Sequence, residues 1–200
     1  MMEEYNIVLC GVGGQGTILA SKILAQTAVK LGLNCRVGET HGMSQRGGSV
    51  ISHARIGSKV YGALTPDSHT DLMLAFEPVE SLRYINYLKK NAYVVLNTHP
   101  IIPTSVNAGL ATYPSLEEII SKIKAVTENI ISIDATSLAQ NVGSVISLNM
   151  VIIGASTKVP TFPLPEAELI KTIEELVKPK FIQINKNAFV VGVQAVRAVE

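Results

Sequence analysis

Between Cys10 and Thr17 the chain reads Gly11-Val12-Gly13-Gly14-Gln15-Gly16, and further on it reads Glu39-Thr40-His41-Gly42-Met43-Ser44-Gln45-Arg46-Gly47-Gly48-Ser49. These two stretches hold the residues whose types and spacing best suggest chemistry. In the first, Gly11, Gly13 and Gly16 satisfy G-x-G-x-x-G. The first glycine of that pattern permits a tight turn, the second lets backbone approach a ligand, and the third lets a helix lie close on a sheet. If a helix starts at Thr17, free amides of Gly13, Gly14, Gln15, Gly16 and Thr17 and the positive helix end favour an anion. A tight turn that binds nothing meets the same pattern. No Gly-Lys-Ser or Gly-Lys-Thr follows, so this is not a Walker phosphate loop.

A dinucleotide site also asks for an acidic residue about twenty positions later. Glu39 is of the right type and near the right place. The loop it opens departs from an ordinary crossover. Gln45, Arg46 and the pair Gly47-Gly48, followed by Ser49, would set a guanidinium beside exposed backbone amides. Such a group holds a carboxylate or a phosphate bidentately, or else pairs with an acidic residue of a partner chain. Both roles stay open for Arg46. His41 suits a structural hydrogen-bonding role better than a catalytic one.

The rest of the chain nominates no catalytic residue and no metal site. His53, His69 and His99 lack metal-ligand spacing. Asp67, Asp71 and Glu77 form no paired-carboxylate pattern, and Asp134 either faces a cleft or caps a helix. The two cysteines, Cys10 and Cys35, lie far apart in apolar surroundings. They suit a reducing cytosol and fall short of the four thiolates that an iron–sulfur cluster normally takes.

The elements that would position these residues alternate in type. Tyr5–Cys10 reads as a buried strand, Thr17–Leu31 as a helix ended by Gly32, and Asn34–Gly38 as a second strand. Strand, helix, strand in this span predicts a βαβ unit with a parallel pair. Further strands are expected at Ser49–Ile56, Leu72–Phe76, Ala92–Leu96 and Ile130–Ile133, with a hairpin partner at Lys59–Gly62. Helices are expected over Pro78–Leu88, Leu116–Val126, Val145–Ser156, Glu166–Val177 and Phe181–Val199, the last three separated by prolines. The predicted fold class is α/β, Rossmann-like: a mostly parallel sheet flanked by helices, with a helical C-terminal segment. No linker divides residues 1–200, so one domain is expected.

Composition narrows the partners. The chain is 47% hydrophobic and 16% charged, against about 25% charged in average soluble chains. A partner covering part of the surface is the simplest remedy for that shortfall. A net charge of +1 removes the electrostatic case for nucleic acid or an anionic membrane. The longest apolar stretch, Val145–Ala155, is interrupted by Ser147 and Asn149 and is too short to span a bilayer. The acidic start, Met1-Met2-Glu3-Glu4, carries no secretory signal, and a cytoplasmic location is expected.

With the glycine turn and His41-Gly42-Met43-Ser44-Gln45-Arg46-Gly47-Gly48-Ser49, the chain resembles the gamma-domain family of 2-oxoacid:ferredoxin oxidoreductases over its whole length. Leu148-Asn149-Met150 with Gly154, Leu164-Pro165, and Asn187-Ala188-Phe189 with Gly192 fit the same pattern. Met43-Ser44-Gln45 makes it most similar to the indolepyruvate type. The resemblance implies a subunit without a redox centre, in a complex that decarboxylates an aryl 2-oxoacid, passes electrons to ferredoxin and leaves an acyl-CoA. Thiamine diphosphate and the iron–sulfur clusters would lie on a large partner subunit. A coenzyme A phosphate is the ligand implied for the glycine turn and Arg46. Two other readings compete: a stand-alone NAD(P)- or flavin-binding oxidoreductase, built on the turn plus Glu39, and a purely structural interface subunit. Without its partner, the apolar chain is expected to form a homodimer.

Overall fold

Strand β1 (Tyr5–Val12) sends Tyr5, Ile7 and Leu9 into one hydrophobic core and Val8 and Cys10 into another. A strand apolar on both faces must lie inside a sheet covered on both sides. The computed structural model, which describes residues 2–39 and 42–197, has that architecture. After β1 come α1 (Thr17–Lys30), β2 (Cys35–Glu39), β3 (Ser49–Ile56), β4 (Thr70–Ala75), α2 (Pro78–Arg83) and β5 (Leu88–Asn97). The short α3 (Thr104–Asn107), α4 (Leu116–Lys124) and β6 (Ile130–Ile133) follow. Four helices close the chain: α5 (Ala135–Asn141), α6 (Leu148–Ser156), α7 (Glu166–Leu176) and α8 (Ile182–Arg197).

The strands form one six-stranded sheet in the order β2-β3-β1-β4-β5-β6. The pairs β1/β4, β4/β5 and β5/β6 are parallel, whereas β1/β3 and β2/β3 are antiparallel. The mostly parallel α/β sheet expected from sequence is present, with one correction. The expected parallel pair of β1 and β2 does not form, because β3 inserts between them, matching Tyr5 to Ile56 on one side and Cys35 to the same Ile56 on the other. Two smaller expectations also change. Residues 59–62 are irregular and make no hairpin strand. The helix expected over Pro78–Leu88 stops at Arg83 and gives way to a 3-10 turn, Ile85–Tyr87, and β5 begins at Leu88. The expected end of the last helix, beyond Arg197, lies outside the described residues.

Helices α1, α5, α6, α7 and α8 cover one face through Ile23, Leu24, Leu169, Phe189 and the wholly buried α6. Helices α2 and α4 cover the other through Val79, Leu82, Ile119 and Ile123. Burying α6 completely requires a neighbour at close range. A β-carbon on Gly154 would stand 2.1 Å from the Phe189 carbonyl oxygen, and one on Gly192 would stand 2.0 Å from that of Val151. Helices α6 and α8 therefore cross backbone to backbone, which accounts physically for glycine at both positions. Among the described residues, no helix is long and apolar enough to cross a membrane.

Candidate functional site

The site is built where β1 gives way to α1. The Val12 amide donates to the side-chain Oε1 of Gln15 at 2.7 Å, and the Gln15 Nε2 donates to the Phe76 carbonyl at 2.9 Å. Gln15 is thus buried, and its side chain is occupied in tying the turn to the end of β4. Asn97 at the end of β5 donates to the same Phe76 carbonyl at 2.8 Å. Three parallel strand ends are clamped together in this way.

The two sequence stretches meet here. The Gly13 amide donates to the Gly48 carbonyl at 2.8 Å, and the Gly48 amide donates to that of Ser44 at 2.9 Å. A β-carbon on Gly13 would lie 2.2 Å from the Ser44 carbonyl oxygen and 2.6 Å from that of Gln45. The close backbone approach that this second glycine permits is therefore used by the chain's own loop. Gly16 takes the left-handed conformation, φ 83°, with its carbonyl accepting from Asn149 Nδ2 at 3.3 Å. Its neighbour there is Asn149 of α6, so the third glycine admits a second helix against the start of α1.

With glycine at its N-cap, α1 begins without a side-chain cap and without an acidic residue in its first turn. The first helical bond there runs from the Ala20 amide to the Gly16 carbonyl, 3.0 Å. Amides at Thr17, Ile18 and Leu19 precede that ladder and carry the positive helix end. Thr17 and Ile18 border a cleft of about 210 Å³ lined by Gly13, Gly14, Gly16, Thr17, Gln45 and Ser52, with Ile18 and Val50 as its apolar walls. Among the described residues, no lining side chain is titratable. The cleft can hold an anion by dipole and amides.

The remaining sequence candidates are dispersed. Arg46 is exposed and, among the described residues, has no ion-pair partner. Gly47 and Ser49 line a separate cavity of about 320 Å³ on the α2 side. Glu39 accepts a 2.9 Å bond from the Ser21 hydroxyl of α1 and lines an open groove beside Lys22 and Val37. One strand, β3, separates its strand from β1, whereas the ribose-binding acid of a dinucleotide site ends the strand beside the glycine turn. Glu39 thus bonds to α1 from a strand that does not neighbour β1. Thr40 and His41 lie outside the described residues.

One constellation was not singled out from sequence. Glu77, 2% exposed, accepts from the Tyr113 hydroxyl at 2.5 Å, the Ile101 amide at 3.1 Å and the Glu80 amide at 3.1 Å. Glu80, also buried, accepts from Arg83 Nε at 3.1 Å and from the Ser49 hydroxyl, which in turn meets the Tyr84 hydroxyl at 2.8 Å. Burial, and then the Glu77 carboxylate, pushes the Tyr113 phenol well above its ordinary range. The available signal was Glu77-Pro78 directly after a strand, an N-cap followed by proline at the first helical position. Asp134 resolves as a cap: its carboxylate accepts from the Ser137 amide at 2.9 Å. Burial pushes the Cys10 thiol well up and that of Cys35 to about 11. Among the described residues, no group of three or more metal-ligating side chains assembles.

Residues 6–195 match the family model described as pyruvate ferredoxin/flavodoxin oxidoreductase. The chain is 50% identical to the indolepyruvate oxidoreductase subunit IorB of Pyrococcus horikoshii, over 98% of both chains. Among solved structures, the gamma subunit of a keto/oxoacid ferredoxin oxidoreductase from Geobacter sulfurreducens shares the fold at a TM-score of 0.71 and 22% identity, covering 97% of this chain and 99% of that one. The 2-oxoglutarate:ferredoxin oxidoreductase of Magnetococcus marinus, solved with 2-oxoglutarate, coenzyme A and succinyl-CoA bound, matches at a TM-score of 0.74 and 20% identity. There the match covers this whole chain but only 32% of the longer one. Sheet, glycine turn and loop together with these matches lead to one assignment: the chain belongs to the pyruvate ferredoxin/flavodoxin oxidoreductase family.

Proposed function

We propose that this chain is the small subunit of an indolepyruvate-type 2-oxoacid:ferredoxin oxidoreductase, one gamma-type domain over residues 1–200 that carries no redox centre. Near-full-length identity to a subunit of that name supports the reading. In it, thiamine diphosphate and the iron–sulfur clusters belong to a large partner, which also meets ferredoxin. The chain's cysteines, one of them fully buried, fit that division of labour, and two free thiols suit the reducing cytoplasm.

Within the complex, the α1 cleft is the place on this chain for an anionic group, and we assign it to a phosphate of coenzyme A. The carrying observation is the uncapped start of α1 opening on a cleft that no carboxylate lines among the described residues. Coenzyme A supplies the thiol that accepts the acyl group. The residues here bind and orient: amides at Gly14, Thr17 and Ile18 face the anion, and exposed Arg46, without an ion-pair partner among the described residues, meets a second phosphate or a partner carboxylate from the adjoining loop. Replacing Ile18 with glutamate puts a carboxylate in the first helical turn, where it competes for the same amides. In the assembled enzyme this should raise the KM for coenzyme A on the order of 10-fold, with kcat at saturation unchanged. An unchanged KM would reject the assignment.

A second reading has its own support. Gly13 is filled by the chain's loop, so the glycine pattern is explained by packing alone. If the turn is only scaffold, Ile18→Glu leaves coenzyme A kinetics intact.

A further inference from the structure

The C-terminal helices leave an apolar mouth that the fold itself does not require. The 3-10 turn Val145–Ser147 enters α6, and a second, Pro179–Phe181, enters α8. Between them lies a cavity of about 330 Å³ whose walls include Leu19, Ile146, Leu176, Phe181 and Ile184. Ser147 and every residue of α6 are buried, yet Ile146 is 78% exposed on the rim, with Val145 and Phe181 each 45% exposed. Ile146 therefore contributes little to this chain's own core and stands ready to be covered by another surface.

Charge around the mouth is one-sided. Glu174 pairs with Lys186 at 2.5 Å, and Glu175 pairs with Lys30. Lys178 on the wall and Lys180 on the rim have no ion-pair partner among the described residues, Lys180 resting 4.8 Å from the centre of the Phe181 ring. Two of the polar side chains in the lining are engaged within the chain. Asn185 Nδ2 donates to the Phe181 carbonyl at 2.8 Å, while Asn149 bonds the Gly16 carbonyl and the Met150 amide. An apolar cavity with a cationic rim fits an apolar side chain flanked by acidic residues.

We infer that the mouth between Ile146 and Phe181 is a docking site in which the large subunit inserts an apolar side chain flanked by carboxylates. The inference rests on the small-subunit reading proposed above. Through Asn149 the mouth adjoins the start of α1, so docking here sets the partner beside the anion cleft.

The test uses the complex formed with the co-expressed large subunit and measures its dissociation constant across a salt series. Ile146→Asp should weaken assembly on the order of 30-fold or more, with the variant chain melting at the wild-type temperature. The pair Lys178→Glu and Lys180→Glu should weaken assembly at low salt and flatten its salt dependence. Leu110→Asp, at an exposed position away from this mouth, is the control and should assemble normally. Wild-type affinity in both mouth variants would overturn this site while leaving the subunit reading intact. Failure of the wild-type chain to assemble would overturn both. Loss of self-association by Ile146→Asp with normal assembly would make a second copy the occupant and also overturn the proposal.

Discussion

Gly13 and Ser44 approach so closely that a β-carbon on Gly13 would stand 2.2 Å from the Ser44 carbonyl oxygen. The glycine turn and the Met43–Gln45 turn are thus one packed unit, joined also by the bond from the Gly13 amide to the Gly48 carbonyl. Gly13→Ala forces backbone against backbone, with no flexible side chain to yield. We expect a loss of about 3 kcal/mol, read as a lowered denaturant midpoint in urea. Wild-type stability in this variant would mean that the two turns are not held together as described.

Tyr113 anchors the segment after β5 to the buried Glu77 carboxylate. Tyr113→Phe keeps the ring and removes one of the carboxylate's donors, leaving the Ile101 and Glu80 amides in place. The expected cost is about 1–2 kcal/mol. Limited proteolysis should show faster cleavage near the exposed Leu110. A digestion pattern matching the wild type would count against the anchor.

His53 gives stability a pH dependence of definite sign. Its Nδ1 accepts from the Thr65 amide at 3.3 Å, its ring meets Tyr87 edge-on, and Arg55 shares its strand. Burial, and then the Arg55 charge, lowers its pKa to about 4 from 6.5. Between those values the unfolded chain binds the proton and the folded chain does not, so stability falls as pH drops from 6.5 toward 4. The loss should reach on the order of 2 kcal/mol, measured as urea midpoints at successive pH values. His53→Gln should flatten that slope, and an unaltered slope would remove His53 as its source.

The thiols should be unreactive. Cys10 is fully buried, and a pKa of about 11 at Cys35 leaves very little thiolate near pH 8. Alkylation of the native chain by iodoacetamide should be at least about 100-fold slower than that of a free cysteine. Unfolding in urea should restore ordinary rates at both positions.

Local pattern determined much of this protein. The continuous apolar run in Tyr5–Cys10, the glycine turn and the apolar stripe from Ile18 to Ala28 specify strand, turn and helix, because each depends on neighbours only a few residues apart. The Arg46-Gly47-Gly48 loop was likewise legible as the informative stretch. Only the tertiary structure decided that β3 lies between β1 and β2, since strand order depends on long-range pairing to which sequence periodicity is blind. That insertion removes Glu39 from the glycine turn. Tertiary packing also turned Gly13 toward Ser44, gathered Glu77, Ile101 and Tyr113 from separate segments, and left Ile146 uncovered beside a fully buried helix. A residue's type limits what it can do; its nonlocal neighbours decide which of those things it does.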